Sequence, residues 1–274
     1  MTQPQFIDTH CHIQSAGNSQ GERTTGEIWA KQPTVNGQTL LAAASAAGVT
    51  KVICVGCDLA DSQLAISFAG KHDSAWASIG IHPHEAKTIA GNDVAWQSFV
   101  ALATQPKVVA IGECGLDYFY NHSDKSDQIA VLQQQLALAT EHNLPVIFHV
   151  REAFEDFWPI FDQYPGLRGV LHSFTDSQAN LEQALQRGLF IGVNGIATFA
   201  KQAEQIAVYR SIPLSNLLLE TDAPFLTPTP YRGKVNEPKQ VVTVANFLAD
   251  LKSTKLSELA AATTANAQNL FSLN

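Results

Sequence analysis

Two histidines stand one residue apart in DTHCH, residues 8–12, at the end of the first apolar run of the chain. In an extended strand, residues two apart project from the same face, so His10 and His12 aim together and Cys11 turns away. Paired imidazoles suit a metal ion. Histidines that simply close a strand against neighbouring backbone are the alternative for this dipeptide spacing alone. Polar residues of the same kind close further apolar runs: His82 and His84 in GIHPH, Glu113 in KVVAIGE, His149 in PVIFHV, His172 in RGVLHSF and Asp222 in LLLETD. His10, His12, Glu113, His149, His172 and Asp222 thus make six prospective ligands from five runs. Mixed imidazole and carboxylate ligands suit Zn²⁺, Mn²⁺, Fe²⁺ or Co²⁺, with Mg²⁺ where carboxylates and water dominate. No thiolate is required, which disfavours a structural zinc site. Six ligands are too many for one tetrahedral ion with an open position. They suit two ions about 3.5–4 Å apart joined by a carboxylate, and Glu113, central in the ligand order, is the natural bridge.

Such a set needs elements that end at one place. The apolar runs at 6–10, 51–56, 75–82, 107–113, 145–150, 168–174, 189–194 and 217–222 are nearly continuous, as in strands buried on both faces of a parallel sheet. Amphipathic segments lie between and after them, at 39–48, 59–71, 93–104, 125–142, 177–187, 199–210, 238–251 and 256–270. Eight strands alternating with helices predict the α/β class and a (β/α)₈ TIM barrel, with the metal site at the C-terminal rim of the strands. No linker, low-complexity tract or repeat interrupts residues 1–274, which read as one domain. The Gly/Ser/Thr/Gln-rich stretch 14–36 is the longest loop and follows the first strand, as a lid or as a solvated excursion. Asp8 lies two residues before His10, and Glu220 two before Asp222. Each is expected inside the barrel below a ligand, orienting a ligand histidine or a nearby cation. His72, His122 and His142 fall in helices or loops and read as surface residues.

Composition narrows the partners. The chain is 45% hydrophobic and 15% charged, with a formal net charge of −8, which argues against a basic surface that coats long nucleic acid. No run of 18 or more apolar residues spans a membrane and no signal peptide is evident, so a cytoplasmic location is expected. Cys54 and Cys57 form a C-x-x-C without the second pair of a zinc ribbon. With Cys11 and Cys114 they read as reduced residues without chemistry.

The motifs DTHCH, GIHPH, IGECGLDY, FHVREA, LHSFT and LLETDAPFLTP, then RG at 232–233 and NEP at 236–238, resemble the TatD family of metal-dependent deoxyribonucleases. The resemblance runs from residue 6 to the C-terminus with the motifs in order. It implies a TIM barrel that holds two divalent ions and hydrolyses phosphodiesters. On its pattern His10, His12 and Asp222 hold one ion, His149 and His172 the other, Glu113 bridges, and His82 contacts phosphate. The loop after the first strand is longer than usual for the family. No lysine ends VVAIGE, which separates this chain from relatives bridged by a carbamylated lysine.

In the mechanism this implies, a metal-bound water is the nucleophile. Asp222 is the general base, and the second ion with His82 stabilises phosphoryl charge. Arg151 and Arg232 are candidates to clamp a phosphate. Tyr118, Phe119, Tyr120, Phe174 and Phe225 are candidates to stack bases. The expected substrate is DNA, single-stranded or entered from 3′ ends, with Mg²⁺, Mn²⁺ or Zn²⁺ as the ions. An enzyme for carboxyl esters or amides, such as an aminoacyl-tRNA ester, and a non-catalytic metal-binding protein are the rival readings.

Overall fold

Each apolar run forms a strand: β1 Phe6–Cys11, β2 Val49–Val55, β3 Ala75–Ile79, β4 Val108–Asp117, β5 Val146–Arg151, β6 Gly169–Leu171, β7 Phe190–Val193 and β8 Leu217–Leu219. The structure is a computed structural model and describes residues 3–17, 23–120 and 122–273. The strands lie in chain order in one sheet, each parallel to the next. Between β1 and the chain leaving β8 the ring is closed by a few bonds. Thr9 Oγ1 donates to Leu219 O (3.0 Å), Asp222 N to His10 O (2.8 Å) and His12 N to Ala223 O (2.7 Å). This is the expected (β/α)₈ barrel.

Why the runs are apolar on both faces follows from two separate clusters. Ile53, Val55, Ala110, Ile147, Val170 and Leu218 pack together with Leu270 and Phe271 of the helix Leu256–Phe271. Their neighbours Val52, Cys54, Val146, Phe148, Leu171, Leu217 and Leu219 belong to the larger cluster that holds the helices on the sheet. Toward the C-terminal ends the first set changes character with its period of two intact. Ile147 is followed by His149, Val170 by His172, and Leu218 by Glu220 and Asp222. The strands therefore carry a dry lower half and a polar rim on one side.

The expected helices appear as Gly37–Ala46, Leu59–Ala69, Asp93–Val100, Lys125–Glu141, Gln178–Gln186, Ala203–Ser211, Val241–Leu251 and Leu256–Phe271. Side-chain caps start several of them, as where Asp58 Oδ1 accepts from Asp61 N (2.7 Å). Among the described residues three further α-helices lie outside the expected set: Arg23–Trp29, Ala86–Ile89 and Phe154–Phe161. All are short, and the last contains Pro159. It still holds because Phe157 and Phe161 pack edge-on against Phe148 of β5.

Of the loop 14–36, residues 18–22 lie outside the described residues. The remainder is more ordered than a solvated excursion. Trp29 is buried and donates Nε1 to the carbonyl of His12 (3.0 Å), which fixes the helix Arg23–Trp29 to the end of β1.

Candidate metal centre

β1 delivers His10 and His12 to the same face, as the alternation requires, and Cys11 points away with Sγ near Ile53 O (3.5 Å). The two Nε2 atoms stand 3.3 Å apart. Asp222 reaches them from the far side of the ring seam, with Oδ1 3.6 Å from His10 Nε2 and 3.3 Å from His12 Nε2. Asp222 lies three residues past β8 in a left-handed conformation (φ 59°), which aspartate tolerates better than most residues. Asp8 holds this corner in a manner the sequence reading did not foresee. It accepts from Thr221 N (2.9 Å) and Thr221 Oγ1 (2.6 Å), so it ties β1 to β8 and touches no ligand imidazole. Burial pushes its pKa up to about 8, against these hydrogen bonds.

β4 does not end at Glu113 but runs on to Asp117. The glycines on either side of the site make room for it. Gly112 (φ 137°) and Gly115 (φ 155°) would each clash with β5 backbone, at Ile147 and His149, if they carried a Cβ. The register of β4 against β5 shifts between Ile111 and Cys114, and Glu113 enters the barrel there. Its Oε2 lies 3.4 Å from His10 Nε2, and its Oε1 lies 2.7 Å from His149 Nδ1, 3.8 Å from His82 Nε2 and 3.9 Å from His172 Nε2. Three sets of ligand atoms fall within 4.8 Å of one another: His10–His12–Asp222, His10–Glu113–His172 and His82–Glu113–His149. Glu113 is common to two of them. His149 and His172 both face it, though in different sets.

The second nitrogen of each ring shows which way the lone pairs point. His12 Nδ1 sits 2.9 Å from Val55 O, and His149 Nε2 3.0 Å from Asp117 Oδ2. His172 Nδ1 sits 3.0 Å from Glu220 Oε2. Carbonyl and carboxylate oxygens only accept, so the His12 and His149 nitrogens carry the proton, whereas His172 Nδ1 lies beside its carboxylate without hydrogen-bond geometry. The other nitrogen of each ring faces Glu113 or Asp222 at 2.7–3.9 Å. Such pairs need positive charge between them, which a metal ion supplies or, without one, a second proton on the ring, and outer partners of this kind orient ligand histidines. The titration behaviour expresses the same demand. Burial opposes charge on His149 and His172, but Asp117 with Glu113 for the first, and Glu220 with Glu113 for the second, hold each pKa at about 9. Burial would raise Glu113 and Asp222, yet the facing imidazoles hold both carboxyls below the usual range.

His82 behaves differently. Its Nδ1 accepts from the backbone N–H of His84 (3.2 Å), so Nε2 carries the proton. Burial, reinforced by His149, keeps its pKa well below the ordinary value and the ring neutral. It is therefore a donor aimed at the cluster.

A fourth grouping, His12–Cys57–Asp61, is poorly suited to an ion. Cys57 Sγ faces His12 Nδ1 at 4.0 Å, the nitrogen already donating to Val55 O, and burial keeps the thiol protonated. All four cysteines are free, as expected.

The cluster opens into a cavity of about 800 Å³ whose wall includes Tyr120, Arg151 and Phe225. Of the other candidate substrate contacts, Phe174 is 3% exposed and serves packing. Tyr118 donates its hydroxyl to Asp156 (2.7 Å). Arg232 lies over the ring of Phe199 (3.5 Å) and is not part of the cavity wall. Sequence reasoning missed Asp117, and it placed His84 at the end of the third run without giving it a role. Asp117 Oδ2 accepts from both His149 Nε2 and His84 Nε2 (3.1 Å), and its Oδ1 accepts the N–H groups of Phe119 and Tyr120 (3.0 Å each). The signal was its place four residues after Glu113, on the same strand face. His122 is exposed and packs on His84 at a ring distance of 4.6 Å, outside the ligand sets.

Known proteins give this arrangement its family. Residues 7–272 match the model for TatD related DNase. The metal-dependent hydrolase YabD of Bacillus subtilis is 36% identical over 271 residues, covering 98% of this chain and all of YabD. The 3′-5′ ssDNA/RNA exonuclease TatD of Erwinia tasmaniensis is 40% identical over 235 residues, 83% of this chain and 90% of that protein. The crystal structure of YjjV, a TatD homologue from Escherichia coli, superposes with a TM-score of 0.85 at 30% identity, over 97% and 98% of the two chains. Family model, relatives and barrel agree with the rim of imidazoles and carboxylates: this chain belongs to the TatD-related DNase family, as a metal-dependent hydrolase.

Proposed function

We propose that residues 1–274 form one cytoplasmic nuclease domain that hydrolyses single-stranded DNA from its 3′ end with two divalent ions, Mg²⁺, Mn²⁺ or Zn²⁺. The single observation that carries this reading is the orientation of His12, His149 and His172. Each uses one ring nitrogen on a fixed oxygen and turns the other toward Glu113 or Asp222. In this reading His10, His12 and Asp222 would hold one ion, His149 and His172 the other, and Glu113 would serve both. Ions bound there supply Lewis acidity and lower the pKa of a coordinated water.

The chain's own groups do the rest. Asp222 accepts the proton of the attacking water, its carboxyl kept ionised by the imidazoles around it. His82 donates its Nε2–H to a phosphoryl oxygen as charge develops there. Two ions would bring about +4 to a cluster whose carboxylates are Glu113, Asp222, Asp117 and Glu220, and so would offset its negative charge and let a phosphate approach an acidic chain. Arg151 on the cavity wall is the nearer cation for substrate; Arg232 would have to leave Phe199 to take part.

The test is 5′-labelled single-stranded DNA incubated with Mg²⁺, Mn²⁺, Zn²⁺ or EDTA, followed by end-group analysis. A ladder of mononucleotide steps from the 3′ end is expected with metal and none with EDTA. Internal fragments would replace exonuclease by endonuclease action. Hydrolysis of an aminoacyl ester with no phosphodiester cleavage would overturn the nuclease reading.

A further inference from the structure

Four large apolar side chains are exposed among the described residues, and two of them, Phe119 (49%) and Tyr120 (43%), are consecutive. They follow Asp117 with Tyr118 between. The guanidinium of Arg151 lies over the Phe119 ring at 4.0 Å and near the Tyr120 ring at 5.0 Å. Arg151 ends β5, two residues after His149, and is exposed on the cavity wall. Among the described residues no carboxylate pairs with it, whereas Arg187 is paired with Asp162 at 2.7 Å. The result is a flat cation backed by aromatic rings, open to solvent, at the mouth of the cluster. From Tyr120 the next ring inward is His84 at 5.5 Å, from His84 the next is His82 at 4.3 Å, and from His82 it is His149 at 4.5 Å.

We propose that Arg151 and Tyr120, backed by Phe119, form a subsite that stacks an unpaired nucleobase beside the scissile phosphate. This rests on the nuclease reading above and adds the source of its preference for single strands. Bases stack on aromatic rings and on guanidinium planes when they are free of a duplex, whatever their identity. A base inside a duplex presents no free face to such a platform. Asp117 couples the subsite to the metal cluster. One of its oxygens holds the backbone of Phe119 and Tyr120, and the other holds His149. A simple phosphate clamp at Arg151 would need neither the rings nor their exposure.

The experiment compares a labelled thymidine octamer with an octamer of the same backbone carrying abasic residues at its last three 3′ positions. Binding is read by fluorescence anisotropy in EDTA, and cleavage by steady-state kinetics in Mg²⁺ or Mn²⁺. The wild-type chain is expected to bind the base-bearing strand about tenfold more tightly, the scale of one stacked base. Tyr120→Ala and Arg151→Lys should both bring that preference close to one, with the loss appearing in KM rather than kcat. Both side chains are exposed, and thermal melts of the variants verify that the fold is kept. If Arg151→Lys retains the wild-type preference while Arg151→Ala weakens both strands equally, Arg151 is a phosphate clamp and the subsite is overturned. A base preference that follows these variants in binding, from a chain that cleaves neither strand with any metal, would support the subsite and overturn the nuclease reading instead.

Discussion

Glu113 divides the cluster into two sides built differently. On one side His10, His12, His172 and Asp222 are buried, with side-chain exposures of 0–14%, and their outer partners are a strand carbonyl and the buried Glu220. On the other, His82, His149 and His84 face the cavity with exposures of 14–27%, and the outer partner is Asp117. The buried side is fixed by the barrel itself. The open side is fixed by a residue that also holds the turn at the cavity mouth. The first is made to retain an ion, the second to let substrate approach one. The same imidazole–carboxylate chemistry thus acquires two roles from burial and from what stands behind each ring.

The largest expected effect erases both sides at once. Exhaustive chelation should lower phosphodiester hydrolysis by about a thousandfold or more, since the Lewis-acid contribution amounts to several kcal/mol. Readdition of Mn²⁺ or Mg²⁺ should restore it, and unchanged hydrolysis in EDTA would refute a metal requirement.

Glu113→Gln should come next, losing about a hundredfold or more in rate together with metal on both sides. Full metal content at wild-type rate would show that Glu113 joins nothing.

The sides are separated by Asp117→Asn and Glu220→Gln, each expected to cost roughly 10–100-fold in metal affinity or activity. On the proposed ligand set both should weaken the same ion, because Glu220 stands behind His172 and Asp117 behind His149. Only Asp117→Asn should also raise KM for single strands, because the Phe119–Tyr120 turn loses its anchor. Identical phenotypes for the two variants would remove the distinction.

His82→Ala carries the smallest expected effect, about tenfold in turnover, with metal content unchanged because its Nε2 is a donor. Loss of an ion in that variant would make His82 a ligand.

The barrel and the six rim residues could be read from the chain because each rests on a local regularity. Apolar runs of strand length alternate with helical periods, and strand parity carries His10 with His12 and Ile147 with His149. What stayed hidden depends on contacts across the fold. Asp117 was missed because two glycines break the apolar run of β4, so the strand's continuation looks like loop. Asp8 was placed correctly inside the barrel but given the wrong partner, since Thr221 lies 213 positions away. The helix Arg23–Trp29 is too short to announce itself by periodicity. It exists through Trp29 and its bond to His12 O. Phe174 and Phe119 are the same residue type near the same rim, and only burial tells a packing ring from a free one.

The few bonds that join β1 to the chain leaving β8 link residues some 210 positions apart. A contact that distant is entropically among the most expensive the chain makes, and strands must be in register around the whole ring before it forms. On the proposed ligand set, an ion held by His10, His12 and Asp222 would join the two sides of this gap as a clasp. Stabilisation by such a ligand grows with its free concentration, reaching about 2.7 kcal/mol at one hundred times the dissociation constant. The metal that serves catalysis would then also govern how long the barrel stays shut. Apo protein should melt several degrees lower than metal-loaded protein, and hydrogen exchange should rise first along β1 and β8.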